Sequence, residues 1–116
     1  MHKLIILIDQ PKDIQTFEEA WPRFLREAER MPGLKREAAI QVVKTLFGDC
    51  QVYKIHELFF DNRKSLQAAM ASESGQLSGQ ILQQITGGRI SLLIADHREE
   101  QIEDLRKYHE SNPDTN

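Results

Sequence analysis

Leu4-Ile5-Ile6-Leu7-Ile8 sets five apolar residues in a row near the start of the chain, stopped by Asp9-Gln10-Pro11. A run this short predicts a strand, and strict alternation would leave one of its faces wet. Apolar residues at both parities require cover on both faces. The last predicted strand, Ile90-Ser91-Leu92-Leu93-Ile94-Ala95, repeats the pattern. One layer of helices shelters one face of a sheet built on such strands. The other face is a patch too large for a soluble monomer, and the economical cover is a second copy, sheet facing sheet, about a two-fold axis.

Between these strands the periodicity changes. A first helix is entered at Asp13 or through the capping box Thr16-Phe17-Glu18-Glu19, with Ile14, Phe17, Trp21, Phe24/Leu25, Ala28 and Met31 at helical spacing. Arg23, Arg26, Glu27 and Arg30 form its solvated side, and Pro22 predicts a kink beside Trp21. Met31-Pro32-Gly33-Leu34 ends it. Lys35–Leu46 reads as a second strand, Phe47-Gly48-Asp49 as a hairpin turn, and Val52–Phe60 as a third strand. Asp61-Asn62 then opens a helix with Leu66, Ala69 and Met70 inward, and Ser74 caps a further helix carrying Leu77, Ile81/Leu82 and Ile85. Thr86-Gly87-Gly88 stops it. The order β-α-β-β-α-β predicts an α+β, ferredoxin-like fold: a four-stranded antiparallel sheet with helices on one face and the first and third strands central. Residues 1–97 form the domain. Residues 98–116 add a short helix over Glu99–Tyr108, which docks on the body or on a second chain, and a disordered end.

A chain of 116 residues makes one domain and needs no disulfide to hold its core. The single cysteine, Cys50, favours a reducing, cytoplasmic setting. Net charge is −3 with acids and bases mixed along the chain, and the absence of a basic stripe argues against nucleic acid as a partner. Leu4–Ile8 is too short to span a membrane and no small-residue cleavage site follows it.

The residues with chemistry to offer sit on the third strand. His56 and Glu57 are adjacent, so they point to opposite faces: one toward the helices and any cavity, the other toward the dimer seam. A carboxylate at Glu57 inside an apolar pocket would act as acid or base; paired with Arg36 or Lys35 it would be structural. His56 is either a hydrogen-bonded sheet histidine or a proton-transfer group. Tyr53 shares parity with Glu57, which would let a phenol and a carboxylate hold one ligand oxygen. Trp21, Phe24 and Phe17 are candidate walls of an apolar ligand site, and Arg36 a further ligand contact. His2 and His97 approach each other in this topology but lack a third ligand, so no metal is expected, and nothing calls for another cofactor.

Taken in order, these features resemble the EthD family of dimeric α+β barrels. The matching phrases are Phe17…Trp21, Pro32-Gly33-Leu34 before a basic residue, Glu57-Leu58-Phe59-Phe60-Asp61 leading into Ser65-Leu66-Gln67-Ala68-Ala69, and the closing Gly88…Leu92…Ala95-Asp96. The resemblance implies a homodimer with a cavity between sheet and helices in each subunit. Similar barrels include cofactor-free monooxygenases, polyketide cyclases, muconolactone isomerases and haem proteins, so the reaction stays open. It also implies a histidine eight residues before the proline of Pro-Gly-Leu; that position here is Phe24. Two readings follow. In one, a small hydrophobic or aromatic metabolite binds in the pocket and undergoes cofactor-free proton transfer or oxygenation; a cavity of roughly 300 Å³ or more, lined by Trp21 and a titratable side chain, would mark it. In the other, the chain is a non-catalytic ligand-binding or interaction module, marked by a filled interior and an ion-paired Glu57.

Overall fold

The computed structural model describes residues 1–104. Strand β1 (His2–Asp9) is followed by α1 (Ile14–Ala28), β2 (Arg36–Gln41), β3 (Val52–Phe60), α2 (Arg63–Ala71), α3 (Glu73–Thr86) and β4 (Ile90–Asp96). The strands form one four-stranded sheet in the order β2-β3-β1-β4, with all three neighbouring pairs antiparallel. This is the ferredoxin-like arrangement expected, with β1 and β3 central. No described helix is long and apolar enough to cross a membrane. Of the helix expected over Glu99–Tyr108, residues 102–104 are helical and 99–101 are not; residues 105–108, and the tail at 111–116, lie outside the described residues.

The pleat sorts β1 as its composition requires. Leu4, Ile6 and Ile8 are buried and join Phe17, Trp21, Phe24, Leu58, Phe60, Leu66 and Leu82 in one core between sheet and helices. The intervening Ile5 and Leu7 point to the other face, opposite Glu57 and Ile55 of β3 and Leu93 and Ser91 of β4, where no helix covers them. Both parities are apolar, and one has its cover within the chain.

Local chemistry sets the helix boundaries. Asp13, in extended backbone, accepts a hydrogen bond from the Thr16 amide and caps α1, so the Asp13 entry is the one used. Asn62 caps α2 through the Ser65 amide. Ser72 caps α3 through the Gly75 amide, two residues earlier than the Ser74 expected. It does so because Ser72 is already extended at the end of α2, where its hydroxyl donates to the Ala69 carbonyl and accepts from the Gly75 amide. Gly87 and Gly88, both at positive φ, stop α3. Strand β2 is shorter than the Lys35–Leu46 expected: after Val42 donates to the Tyr53 carbonyl the ladder ends, leaving Val43 and Leu46 exposed. Strand propensity without a partner strand does not make a strand.

The α2–α3 corner is tight at Gly75, where an added Cβ would run into the backbone carbonyls of Ala69 and Met70. One turn on, a Cβ at Gly79 would meet nothing. Gly75→Ala is therefore expected to destabilise the fold by about 2 kcal/mol and Gly79→Ala to stabilise it by about 0.5–1 kcal/mol, read as opposite shifts of Tm in thermal unfolding.

Candidate functional site

Alternation on β3 carries His56 to the helix side, where it is buried, and Glu57 to the open side. His56 lies edge-on to Trp21 and Phe24, with ring centroids at 5.6 and 6.3 Å. Its Nε2 sits 3.4 Å from the Glu37 carboxylate on the neighbouring edge strand. Its Nδ1 is buried with no hydrogen-bond partner. Glu57 forms an ion pair with Lys3 of β1 at 2.9 Å, both side chains being only 13% exposed. Its partner is thus Lys3, in place of the Arg36 or Lys35 considered from the sequence.

Tyr53 does not share a face with Glu57. Ile8 stands opposite Lys54 and Asp9 opposite Val52, so Tyr53 is the extra residue of a bulge in β3. The bulge turns the phenol toward α1, where it donates to Glu18 at 2.6 Å and meets Phe17 edge-on. Lys54 arrives at the same place: its ammonium lies 3.1 Å from Glu18 and within 4.8 Å of the centroid of the Trp21 ring. Burial opposes ionisation of Glu18. The hydrogen bonds from Tyr53 and Lys54, with the charge of Lys54, outweigh it and hold the carboxyl below its ordinary 4.5. The Glu18 hydrogen bond in turn raises the Tyr53 phenol, with burial adding to it.

Arg36 faces the open side of the sheet, its guanidinium 4.2 Å from the Phe59 centroid and 3.8 Å from Glu99. His97 meets Phe59 edge-on and bonds Glu99. This places Arg36 away from the sheet–helix interior and shows what closes Phe59 over: the segment after β4.

The aromatic column Phe17–Trp21–Phe24 is stacked, with successive centroids 5.4 and 4.9 Å apart. Trp21 lines none of the three cavities that follow. Open space lies elsewhere, between α3 and β4. An inner void of about 70 Å³ is lined by Phe24, Leu4, Ile6, Leu58 and Leu82. It shares Gly75, Gly79, Leu82 and Leu92 with a wider groove of about 320 Å³, rimmed by Gln76, Gln80 and Gln83. No ionisable side chain lines either. The groove exists because α3 presents two glycines one turn apart, a Gly75-x-x-x-Gly79 spacing readable in the sequence but passed over there. A second pocket, of about 270 Å³, opens at the end of the sheet among Ile8, Phe17, Ile85 and Arg89.

No family model and no protein of curated function matches the chain. Solved structures do. An ethyl tert-butyl ether degradation (EthD) family protein from Bacillus halodurans is 30% identical, with a TM-score of 0.79 over 84% of this chain and 99% of its own. SnoaB, a cofactor-independent oxygenase from Streptomyces nogalater, superposes with a TM-score of 0.63 at 12% identity, over 87% of this chain and 96% of its own. A dimeric ferredoxin-like protein of unknown function from Jannaschia gives 0.62 at 14% identity, over 84% and 100%. At 12 and 14% identity these two show the shared fold alone.

The Glu18 site carries a pH signature. Its carboxyl is depressed in the fold, so its contribution to stability is present above the ordinary 4.5 and is lost as pH falls through the lower folded value. Tyr53→Phe is expected to cost about 1 kcal/mol at neutral pH and to flatten the loss of stability below the ordinary 4.5, as measured by urea unfolding at a series of pH values.

Proposed function

The chain belongs to the EthD family, and on that premise we propose that it is a homodimer that binds a small hydrophobic or aromatic molecule in the cleft between α3 and β4, without the acid–base chemistry of a pocket histidine. The observation that carries this reading is Phe24. It occupies the position of the histidine that the family resemblance implies, is 2% exposed, and forms the inner wall of the cleft. Apolar walls remove such a ligand from water, and the three glutamine amides on the rim supply hydrogen bonds to its polar substituents. The ligand class is therefore neutral and largely flat, with one or two hydroxyl or carbonyl groups at one edge. Glu57, held by Lys3 on the other face, has no path to such a ligand.

Dimerisation is supported by the open face, where Ile5, Leu7, Ile40, Ile55 and Leu93 lie uncovered or half-covered, and by the dimeric description of the Jannaschia protein. A second reading rests on one atom. The buried, unpartnered Nδ1 of His56, with Nε2 toward Glu37, is the arrangement of a base whose other nitrogen is oriented by a carboxylate. It would give cofactor-free proton transfer to a ligand that displaced Phe24 or Trp21.

Gly79→Leu separates the readings from a folding defect, because the position is open and glycine is the poorest helix former after proline. The variant should keep or raise Tm and lose affinity for the neutral, flat dye Nile red, or for whatever copurifies with the protein, by about tenfold or more. Unchanged affinity rejects the cleft. His56→Phe should leave binding within about twofold; loss of turnover of a copurifying ligand in this variant would instead establish the second reading.

A further inference from the structure

The connection from Val42 to Gln51 is an arm. Val42 donates to Tyr53 and Gln10 donates to Gln51, and between these ties it makes no backbone–backbone hydrogen bond. It carries Val43, Leu46 and Phe47 at 94, 89 and 98% exposure, the three most exposed large apolar residues among those described. Scattered single apolar residues on a surface are ordinary, but three on one short loop mark a contact.

We propose that this arm is a hook, and that Phe47 of one copy enters the end-of-sheet pocket of a second copy of the chain; the inference rests on the dimer proposed above. The root of the arm and the mouth of the pocket share one end of the sheet. Gln41 stands opposite Lys54, Lys54 opposite Ile8, and Ile8 opposite Ile90; the pocket residues Asp9, Pro11 and Arg89 lie just beyond that line. Two sheets packed face to face are related by an axis either along the strands or across them. An axis across the strands sends each arm to the far end of its partner and leaves Phe47 in water. An axis along the strands sets β2 of one copy beside β4 of the other and keeps both pockets at the arms' end.

That second arrangement also covers Leu93, which is exposed on the open face of β4 opposite Ile5. The reach suffices: about five extended residues span roughly 16 Å, against sheets about 10 Å apart. The pocket suits a side chain. Its floor is Ile8, Phe17 and Ile85, and its about 270 Å³ lies below the roughly 300–1,000 Å³ of small-molecule sites. Phe17 is thereby shared between the hook's socket and the Tyr53–Glu18 cluster.

The test places a photo-crosslinker in the full chain as Phe47→p-benzoylphenylalanine, irradiates it, and maps the products by mass spectrometry. A covalent dimer joined within residues 85–89 is expected. Dimers joined arm to arm, or adducts confined to a single chain, overturn the hook while leaving the face-to-face dimer standing. A monomer mass for the unaltered chain in light scattering overturns the dimer and the hook with it. Phe47→Ser, at a site too exposed to affect folding of one copy, should weaken the dimer by about tenfold or more with unchanged circular dichroism; an unaltered dissociation constant rejects the hook.

Discussion

A central strand that is apolar on both faces, covered by helices on only one, is the constraint from which the other features follow. Leu4, Ile6 and Ile8 join the core under the helices; Ile5 and Leu7, half-buried among their neighbours in the sheet, are met by no helix among the described residues. At roughly 25 cal/mol per Å² the second face is too costly to leave in water over its whole extent. Leu93 on the open face of β4 and the apolar arm with Phe47 suit the proposed second copy, while the segment after β4 folds across Phe59 within the chain.

The charges on the open face fit that picture. Lys3–Glu57 and Arg36–Glu99 lie around Phe59 toward one end, and aliphatic residues fill the rest. A mixed face of this kind docks in one register, because sliding it would set ion pairs against aliphatic side chains at the cost of desolvation. Lys3 and Glu57 are satisfied within one chain, so in the proposed dimer they would shape the seam without demanding partners across it. The aromatic surroundings of Phe59, with a cation on either side, keep that end closed in a single chain.

How far the sequence could be read depended on which physical rule governed each segment. Alternation put His56 and Glu57 on opposite faces, and it held because β3 is regular there. It failed three residues earlier, at Tyr53, because a bulge adds one residue and turns the phenol to Glu18; nothing in a run of β-branched and aromatic residues announces a bulge. Strand β2 is shorter than its composition suggests for a related reason: Val43, beyond the last ladder bond at Val42, has strand propensity but no strand beside it. The choice of Ser72 over Ser74 as cap turned on the backbone at the end of α2, which is decided by the close approach at Gly75. The cleft itself was the main omission. A cavity is a missing volume: titratable residues and aromatic walls mark where side chains are large, whereas the space lies where they are absent.

Phe24 bears most directly on chemistry. A histidine at that point of α1 would face the inner void and stand near His56, giving two imidazoles and the Glu37 carboxylate around one small volume, an arrangement in which neighbouring charges separate pKa values and make an acid–base pair. Phenylalanine at the same point removes one titratable partner and stacks against Trp21 at 4.9 Å, which fills the space a reacting atom would need. It also leaves the Nδ1 of His56 facing aromatic rings without a hydrogen-bond partner. On the proposed reading, phenylalanine at this point makes the inner wall of the cleft apolar and offers no proton carrier, which suits holding an apolar molecule over transforming one.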